Sequence, residues 1–366
     1  MSLTRLQIHN VRNLRQVSLS DLQQINVFYG RNGSGKTSVL EAIHLLGMAR
    51  SFRGNSVRPL ITHGEPDCVV FGLVSTPLGT GISLGVKRTA SGEAMIKVTG
   101  KPVRSVAQLV EHLPLQVINS DSFDLLTGAP SARRQYLDWG VFHVEHRFFE
   151  QWQKFQRCIK QRNKLLRRGK IIDRELSVWT RDLADSGSAI NDYRQRYFGH
   201  LVPRFSDIIS RLAPSLSGLE VRYLQGWDKQ ITYHQALENS LSTDSEQGYT
   251  HVGPQRADIR LLISGRLAAD TLSRGQQKLV VCALKLAQGQ LMTERGIGSC
   301  TYLVDDLPSE LDLEHGQQVC RQLAQMDAQV FISCVDKRDI SALWPVDVRP
   351  MAMFHVEHGS VQPTAQ

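Results

Sequence analysis

Residues Gly30 to Thr37 read GRNGSGKT, and the apolar run Thr301-Tyr302-Leu303-Val304 ends in two carboxylates, Asp305 and Asp306. Gly30, Gly33 and Gly35 permit turns that aim consecutive backbone N–H groups inward at an anion, and a helix starting after them adds its positive end. Arg31, Asn32 and Ser34 complete the same cradle. Lys36 would reach the β- and γ-phosphates of a nucleotide and assist their transfer, while the Thr37 hydroxyl would bind Mg²⁺. Asp305, at a strand tip near Thr37, would hold that Mg²⁺ through water, and Asp306 would polarise the water that attacks the terminal phosphate. The residue types in this order point to hydrolysis of a nucleoside triphosphate. The same loop serves kinases, GTPases, helicases and transporters, but no NKxD base-recognition motif is present.

These residues need a strand, a loop and a helix in that order. The β-branched and aromatic run Ile25-Asn26-Val27-Phe28-Tyr29 supplies the strand, and apolar residues at helical spacing from Val39 to Leu46 supply the helix. To about Val103 the chain otherwise reads as short strands, over Leu6 to Ile8, Val17 to Leu19, Cys68 to Val74, Gly81 to Val86 and Ala94 to Val98. From Val106 to about Pro214 the pattern becomes long, charged, amphipathic helices, with the turn of a helical hairpin expected over Gly169 to Asp173. Strand texture returns at Leu219 to Tyr223 and Ile259 to Ile263, followed by an apolar helix from Gln276 to about Met292. Beyond the Thr301 strand, a helix to about Met326 leads to a buried strand, Gln329 to Cys334. The expected fold is α/β: a β-rich nucleotide-binding lobe from both chain ends, 1–105 and 296–366, interrupted by a helical lobe, 106–295, with a short arm.

With 366 residues, 41% of them apolar, the chain has ample material for packed cores. It has no apolar run of membrane-spanning length, and Met1-Ser2-Leu3-Thr4-Arg5-Leu6 does not lead into a signal segment, so a cytoplasmic protein without a membrane partner is expected. Cys68, Cys158, Cys282, Cys300, Cys320 and Cys334 are widely spaced and read as buried reduced thiols. The string Phe-His-Val-Glu-His occurs at Phe142 to His146 and again at Phe354 to His358. His143 and His146 would share a helix face, but on a C-terminal strand His355 and His358 would point apart, which argues against a metal site.

Lysine and arginine exceed aspartate and glutamate by 43 minus 35, a net charge of +8 that favours polyanions. Arg147, Lys154, Arg157, Lys160, Arg162, Lys164, Arg167, Arg168 and Lys170 crowd one segment against a single acid, Glu150, and are interleaved with Phe148, Phe149, Trp152 and Phe155. Lys154, Arg157, Lys160, Lys164, Arg167 and Arg168 are accordingly candidate DNA contacts, reading backbone and junction shape rather than sequence. The other reading makes the aromatics helix-packing core and the cations a solvated face.

Leu272-Ser273-Arg274-Gly275-Gln276-Gln277-Lys278, before the long apolar helix and about thirty residues before the carboxylate strand, resembles the LSGGQ signature of ABC ATPases. That likeness implies that Ser273, Gly275, Gln276 and the helix start form a second anion site, which meets the γ-phosphate held by an opposite subunit. Taken alone, the segment is an ordinary helix cap. Ser309-Glu310-Leu311-Asp312 looks like the D-loop that crosses the dimer interface in these enzymes. The histidine often found after the next strand is missing, since Phe331-Ile332-Ser333 leads into Cys334-Val335-Asp336. Slow turnover is therefore expected, with ATP acting mainly as glue between two heads.

Further segments, His9-Asn10-Val11-Arg12-Asn13, Ala49-Arg50-Ser51-Phe52-Arg53, Gly128-Ala129-Pro130-Ser131-Ala132-Arg133-Arg134 and Thr250 to Asp258, together resemble the RecF family over essentially the whole chain. That family of DNA repair and replication proteins is related to SMC heads. The resemblance implies ATP and Mg²⁺ as cofactors, ATP-dependent homodimers on DNA and weak DNA-stimulated ATP hydrolysis. It also implies cooperation with RecR and RecO in directing RecA to gapped duplex DNA at single-strand/double-strand junctions, and a link to the SOS response. Arg12 and Asn13 would contact the nucleotide, as N-terminal residues do in related heads. Arg133 and Arg134 would contact DNA, contact a nucleotide across the dimer, or cap a helix; His251 and Arg256 would organise the dimer interface or only local structure. Two rival functions share these residues: a nucleotide-gated recruitment protein with negligible hydrolysis, and an ABC transporter ATPase subunit.

Overall fold

The computed structural model describes residues 1–366 apart from 55, 77–78, 169–172, 345–350 and 365–366. The chain forms two compact units, Met1–Phe123 with Lys278–Gln366, and Asp124–Gln277. Before Phe123 come strands β1 (Ser2–Val11), β2 (Leu14–Leu19), β3 (Ile25–Tyr29), β4 (Asp67–Ser75), β5 (Gly81–Thr89), β6 (Ala94–Val98), β7 (Lys101–Val103) and β8 (Leu115–Ile118). The second unit holds β9 (Leu219–Leu224), β10 (Asp258–Ile263) and β11 (Arg266–Leu267). The chain then returns with β12 (Thr301–Val304), β13 (Gln329–Cys334), β14 (Met351–Glu357) and β15 (Ser360–Thr364).

In the first unit, β2-β1-β4-β5-β6-β7 make a six-stranded antiparallel sheet. Burial alternates along β1 and β4, the signature of strands with one face inward. The other six-stranded sheet runs β15-β14-β3-β13-β12-β8, and β14, β3, β13, β12 and β8 are mutually parallel. Every residue of β12 and β13 is buried, because a parallel sheet is covered on both faces and its strands read as continuous apolar runs. Phe28 at the centre stacks 5.1 Å from Phe354 on one neighbour and 6.4 Å from Phe331 on the other. The helix Lys36–Met48 buries Val39, Leu40, Ile43, Leu45 and Leu46, each contributing about 1.5–3 kcal/mol, and so fixes the loop before it.

Leu115–Ile118 departs from the expected helical texture. The helix Ala107–His112 stops before Pro114, and the four residues after it pair in parallel with β12. Gln116 also donates to Gln288 at 2.8 Å, and the Tyr302 hydroxyl donates to the Lys285 carbonyl at 3.2 Å. Residues 107–123 and most of the helix Arg274–Glu294 thus pack with the phosphate-loop sheet, so the chain divides into its units at 123/124 and 277/278 rather than at the expected lobe edges.

The second unit carries the helices Pro130–Val144, Phe148–Leu166 and Asp173–Leu212 and the antiparallel sheet β11-β10-β9. The expected turn over Gly169 to Asp173 falls on 169–172, outside the described residues. Arg194 holds Asp138 through two hydrogen bonds, 2.7 and 2.9 Å, and donates to the Pro254 carbonyl at 2.8 Å.

All six cysteines are buried and free. His143 is buried against Trp139, whereas His146 lies beyond the end of its helix, so the two do not share a helical face.

Candidate functional site

The loop Gly30–Gly35 leaves β3 at its carboxyl end, where parallel sheets place ligands. Gly30 has φ of 151°, and a Cβ there would lie 2.2 Å from the Val356 carbonyl oxygen. Gly35, with φ of 122°, sits so close to Asn13 that a Cβ would come within 3.0 Å of its side chain. A side chain at either corner would be strained by the backbone conformation, and at Gly30 it would also meet backbone. Lys36 is 7% exposed, and its ammonium donates to the carbonyls of Gly30 and Arg31, 2.8 and 3.0 Å away. Of its three donors, one is left for a phosphate oxygen.

Thr37 Oγ1 donates to Asp305 Oδ1 at 2.9 Å. Ser333, at the end of β13, donates to the same oxygen at 2.6 Å and accepts the Asp306 N–H at 3.0 Å. One serine thereby holds both carboxylate-bearing residues. Asp306 has a left-handed backbone, φ 54° and ψ 45°, a conformation that aspartate tolerates better than most residues. Its Oδ1 is buried with no hydrogen-bond partner, a costly state for a carboxylate that a bound donor would relieve. Asn13, Asn32, Gly33, Gly35, Lys36, Thr37, Ser38, Arg53, Asp305, Asp306 and Ser333 line one cavity of about 220 Å³. Its donor set suits a phosphate chain, and a hydroxyl beside paired carboxylates suits a hard cation such as Mg²⁺.

Asn13 and Arg12, adjacent in sequence, do different things. Asn13 donates to the Ser34 carbonyl at 3.0 Å and accepts from Ser38 Oγ at 2.9 Å, which ties β2's approach to the phosphate loop. Arg12 is gripped by fully buried Glu41 through two 2.8 Å bonds and lines a separate cavity with Arg58, Thr62 and His63. Ser51 donates to the same Glu41, and its oxygen accepts the Arg53 N–H at 2.9 Å. Ser38, Arg53 and Ser333 were not among the sequence-derived site residues. Ser38 directly follows the GKT, a signal that could have been used; Ser333 carries none until β13 is placed beside β12.

In the second unit, Ser273 and Gln276 form a reciprocal cap at the start of the helix Arg274–Glu294. Gln276 accepts the Ser273 N–H at 3.0 Å, and Ser273 Oγ accepts the Gln276 N–H at 3.3 Å. Gly275 lies in that first turn, with nothing near its missing Cβ. Arg133 makes a two-pronged pair with Asp258, 2.7 and 3.2 Å, and donates to the Gly128 carbonyl at 2.8 Å. Arg134 donates to the Ala257 carbonyl at 3.0 Å. The His251 ring centre lies 4.1 Å from that of Tyr249, and the Arg256 guanidinium lies over the Tyr249 ring, 5.8 Å from its centre.

On the helix Phe148–Leu166 and just after it, Arg157, Lys160, Lys164, Arg167 and Arg168 are exposed. Lys154 is paired with Asp182 at 2.9 Å. Arg162, counted among the arm's cations, is instead fully buried, bonded to Asp244 at 2.7 Å and Thr250 at 2.6 Å. Charge alone does not reveal burial; position 162 lies on the face that also buries Phe155, Cys158, Leu165 and Leu166. Among the described residues no helix is long and apolar enough to cross a membrane.

The family described as RecF/RecN/SMC N terminal domain matches residues 2–361. The chain is 51% identical over 364 residues to the DNA replication and repair protein RecF of Pseudomonas paraeruginosa (strain DSM 24068 / PA7), covering 100% of this chain and 98% of that protein. It is 50% identical over 364 residues to the protein of that name from Pseudomonas syringae pv. tomato (strain ATCC BAA-871 / DC3000), covering 100% and 99%. A solved structure of the recombination mediator protein RecF with ATP, of the RecFOR pathway, superimposes with a TM-score of 0.86 at 27% identity, covering 99% of this chain and 97% of that one. The Smc head domain of Pyrococcus furiosus shares the fold, with a TM-score of 0.60 at 12% identity over 100% and 96% of the two chains.

Proposed function

The chain belongs to the RecF family of DNA replication and repair proteins, with the fold of an SMC-like ABC ATPase head, and from that premise we propose that it is an ATP-gated DNA clamp with slow hydrolysis. In this reading it binds ATP at Gly30 to Thr37 and pairs with a second copy. The paired protein holds DNA at single-strand/double-strand junctions and acts with RecR and RecO to direct RecA to gaps. The observation that carries it is the convergence of Lys36 and Thr37 after β3, Ser333 on β13, and Asp305 and Asp306 after β12, three neighbouring parallel strands, on one cavity.

The residues would divide the work as follows. Backbone N–H groups of the loop and of the helix start receive the phosphate oxygens, and the free Lys36 proton neutralises charge on the β- and γ-groups. Thr37 and Asp305 would hold Mg²⁺, which supplies further neutralisation of the phosphates when bound. Asp306 accepts a proton from water as its oxygen bonds to the γ-phosphorus and the bond to the β-phosphate oxygen breaks, giving ADP and phosphate. Ser333 positions the Asp305 carboxylate and the Asp306 backbone. Ser273, Gly275 and Gln276 would offer their helix N-terminus to the ATP of an opposite copy, and Asn13 would hold the loop against β2. Arg12 would act through its Glu41 pair, and the exposed arm cations would contact DNA phosphates.

Phosphate release by the purified protein, with and without gapped duplex DNA, tests this reading. We expect a DNA-stimulated rate below about ten per second, the median enzyme value, abolished in Lys36→Ala. Release no greater than that of Lys36→Ala under both conditions would leave nucleotide-gated recruitment in its place.

A further inference from the structure

The helix Phe148–Leu166 has two unlike faces. Phe148, Phe155, Cys158, Arg162, Leu165 and Leu166 are buried against the helices Asp173–Leu212 and Leu241–Gln247. Phe149, Gln153, Gln156, Lys160, Lys164 and Arg167 succeed one another in steps of three or four residues and make the opposite face, flanked by exposed Arg157 and Arg168. Trp152 stands at its N-terminal end, 36% exposed, with its ring parallel to that of Phe149 at 6.5 Å and 7°. Phe149 is braced in turn by Phe142, edge-on at 5.8 Å. The aromatics of this segment therefore separate: Phe148 and Phe155 are core, while Trp152 is stacked on Phe149 and stays partly exposed.

We propose that this face binds single-stranded nucleic acid, an unpaired base stacking on Trp152 while the strand's phosphates run along Lys160, Lys164 and Arg167 toward Arg168. A large, partly exposed ring is a platform for any base, since every base has a π-face, and a line of cations beside it follows the backbone. From Trp152 to Leu166 the helix rises about 21 Å, enough for the shortest single-strand sites of about four nucleotides. A duplex keeps its bases inside the stack and can offer this face only phosphates. Charge complementarity thus admits both forms of DNA, and the ring discriminates between them.

The inference rests on reading the arm as a nucleic-acid surface, so duplex binding is measured alongside. Fluorescence anisotropy with the full-length protein would compare a 20-nucleotide oligo-dT, an abasic strand of the same length and a 20-base-pair duplex. Trp152→Ala should weaken oligo-dT binding by about tenfold, within the range for one lost stack, and leave the other two probes as in wild type. Trp152→Phe should restore most of the loss. The salt slope for oligo-dT should stay unchanged in Trp152→Ala and fall by about 0.7 in Lys160→Ala. Melting curves matching wild type show that both Trp152 variants are folded. Equal losses on all three probes, or none on oligo-dT, overturn the inference while duplex binding stands; wild type that binds no probe overturns the DNA-clamp reading as well.

Discussion

Thr37 Oγ1 and Asp305 Oδ1 lie 2.9 Å apart across 268 residues of chain. The contact exists because β13 lies between β3, which launches the phosphate loop, and β12, which ends in the carboxylates. Ser333 at the tip of β13 then bonds Asp305 Oδ1 at 2.6 Å, so all three strand ends meet in one hydrogen-bonded group.

Replacing Lys36 by alanine removes a buried ammonium bonded to the Gly30 and Arg31 carbonyls. Loss of one partner of such a charged contact costs about 2–5 kcal/mol, so ATP affinity measured by calorimetry should fall at least thirtyfold. Unchanged affinity would remove Lys36 from the site.

Asp306→Asn keeps the left-handed backbone, which asparagine also accepts, but removes the group that takes the proton. ATP binding should persist while phosphate release falls by about 10²–10⁴, and ATP-bound dimers should linger on DNA that wild type releases. Release of DNA at the wild-type rate would make Asp306 structural.

Arg162 and Lys164 are two residues apart and should behave oppositely. Arg162→Ala strands fully buried Asp244 and should cost about 3–5 kcal/mol of stability, seen as a lower melting temperature. Lys164→Ala should leave melting within experimental error and reduce the duplex-binding salt slope by about 0.9.

Burial pushes His44 and His143 down to about 4 from 6.5, so both are neutral in the folded chain at neutral pH. The unfolded chain takes up their protons first as pH falls below 6.5. The stability they contribute is therefore complete above 6.5 and lost progressively toward 4, by roughly 3 kcal/mol per histidine at most. Melting temperature should drop across that window, and His143→Leu should blunt the drop; an equal decline in the variant would assign the acid sensitivity elsewhere.

The phosphate loop and the carboxylate pair were legible because each is a short local pattern beside a continuous apolar run, and buried parallel strands must be such runs. Leu115–Ile118 was not legible, being four residues between helical segments whose only strand signal is a partner nearly two hundred residues away. Ser333 and Arg53 are ordinary polar residues until β13 and the Glu41-anchored turn bring them to the cavity. Arg12 and Asn13 look alike as candidates, yet buried Glu41 claims one and the phosphate loop the other. Helical spacing did separate Arg162 from Lys160, but only once the buried face was known.

The central claim is that ATP joins two copies through a site each completes for the other. Light scattering should measure mass with and without ATP and gapped duplex DNA for wild type, Lys36→Arg and Ser273→Arg. The account predicts twice the 41.1 kDa chain mass only when wild type has ATP, with DNA bound by that dimer and both variants remaining single chains. Wild type that stays a single chain with ATP and DNA, or Ser273→Arg that pairs as wild type does, would contradict it.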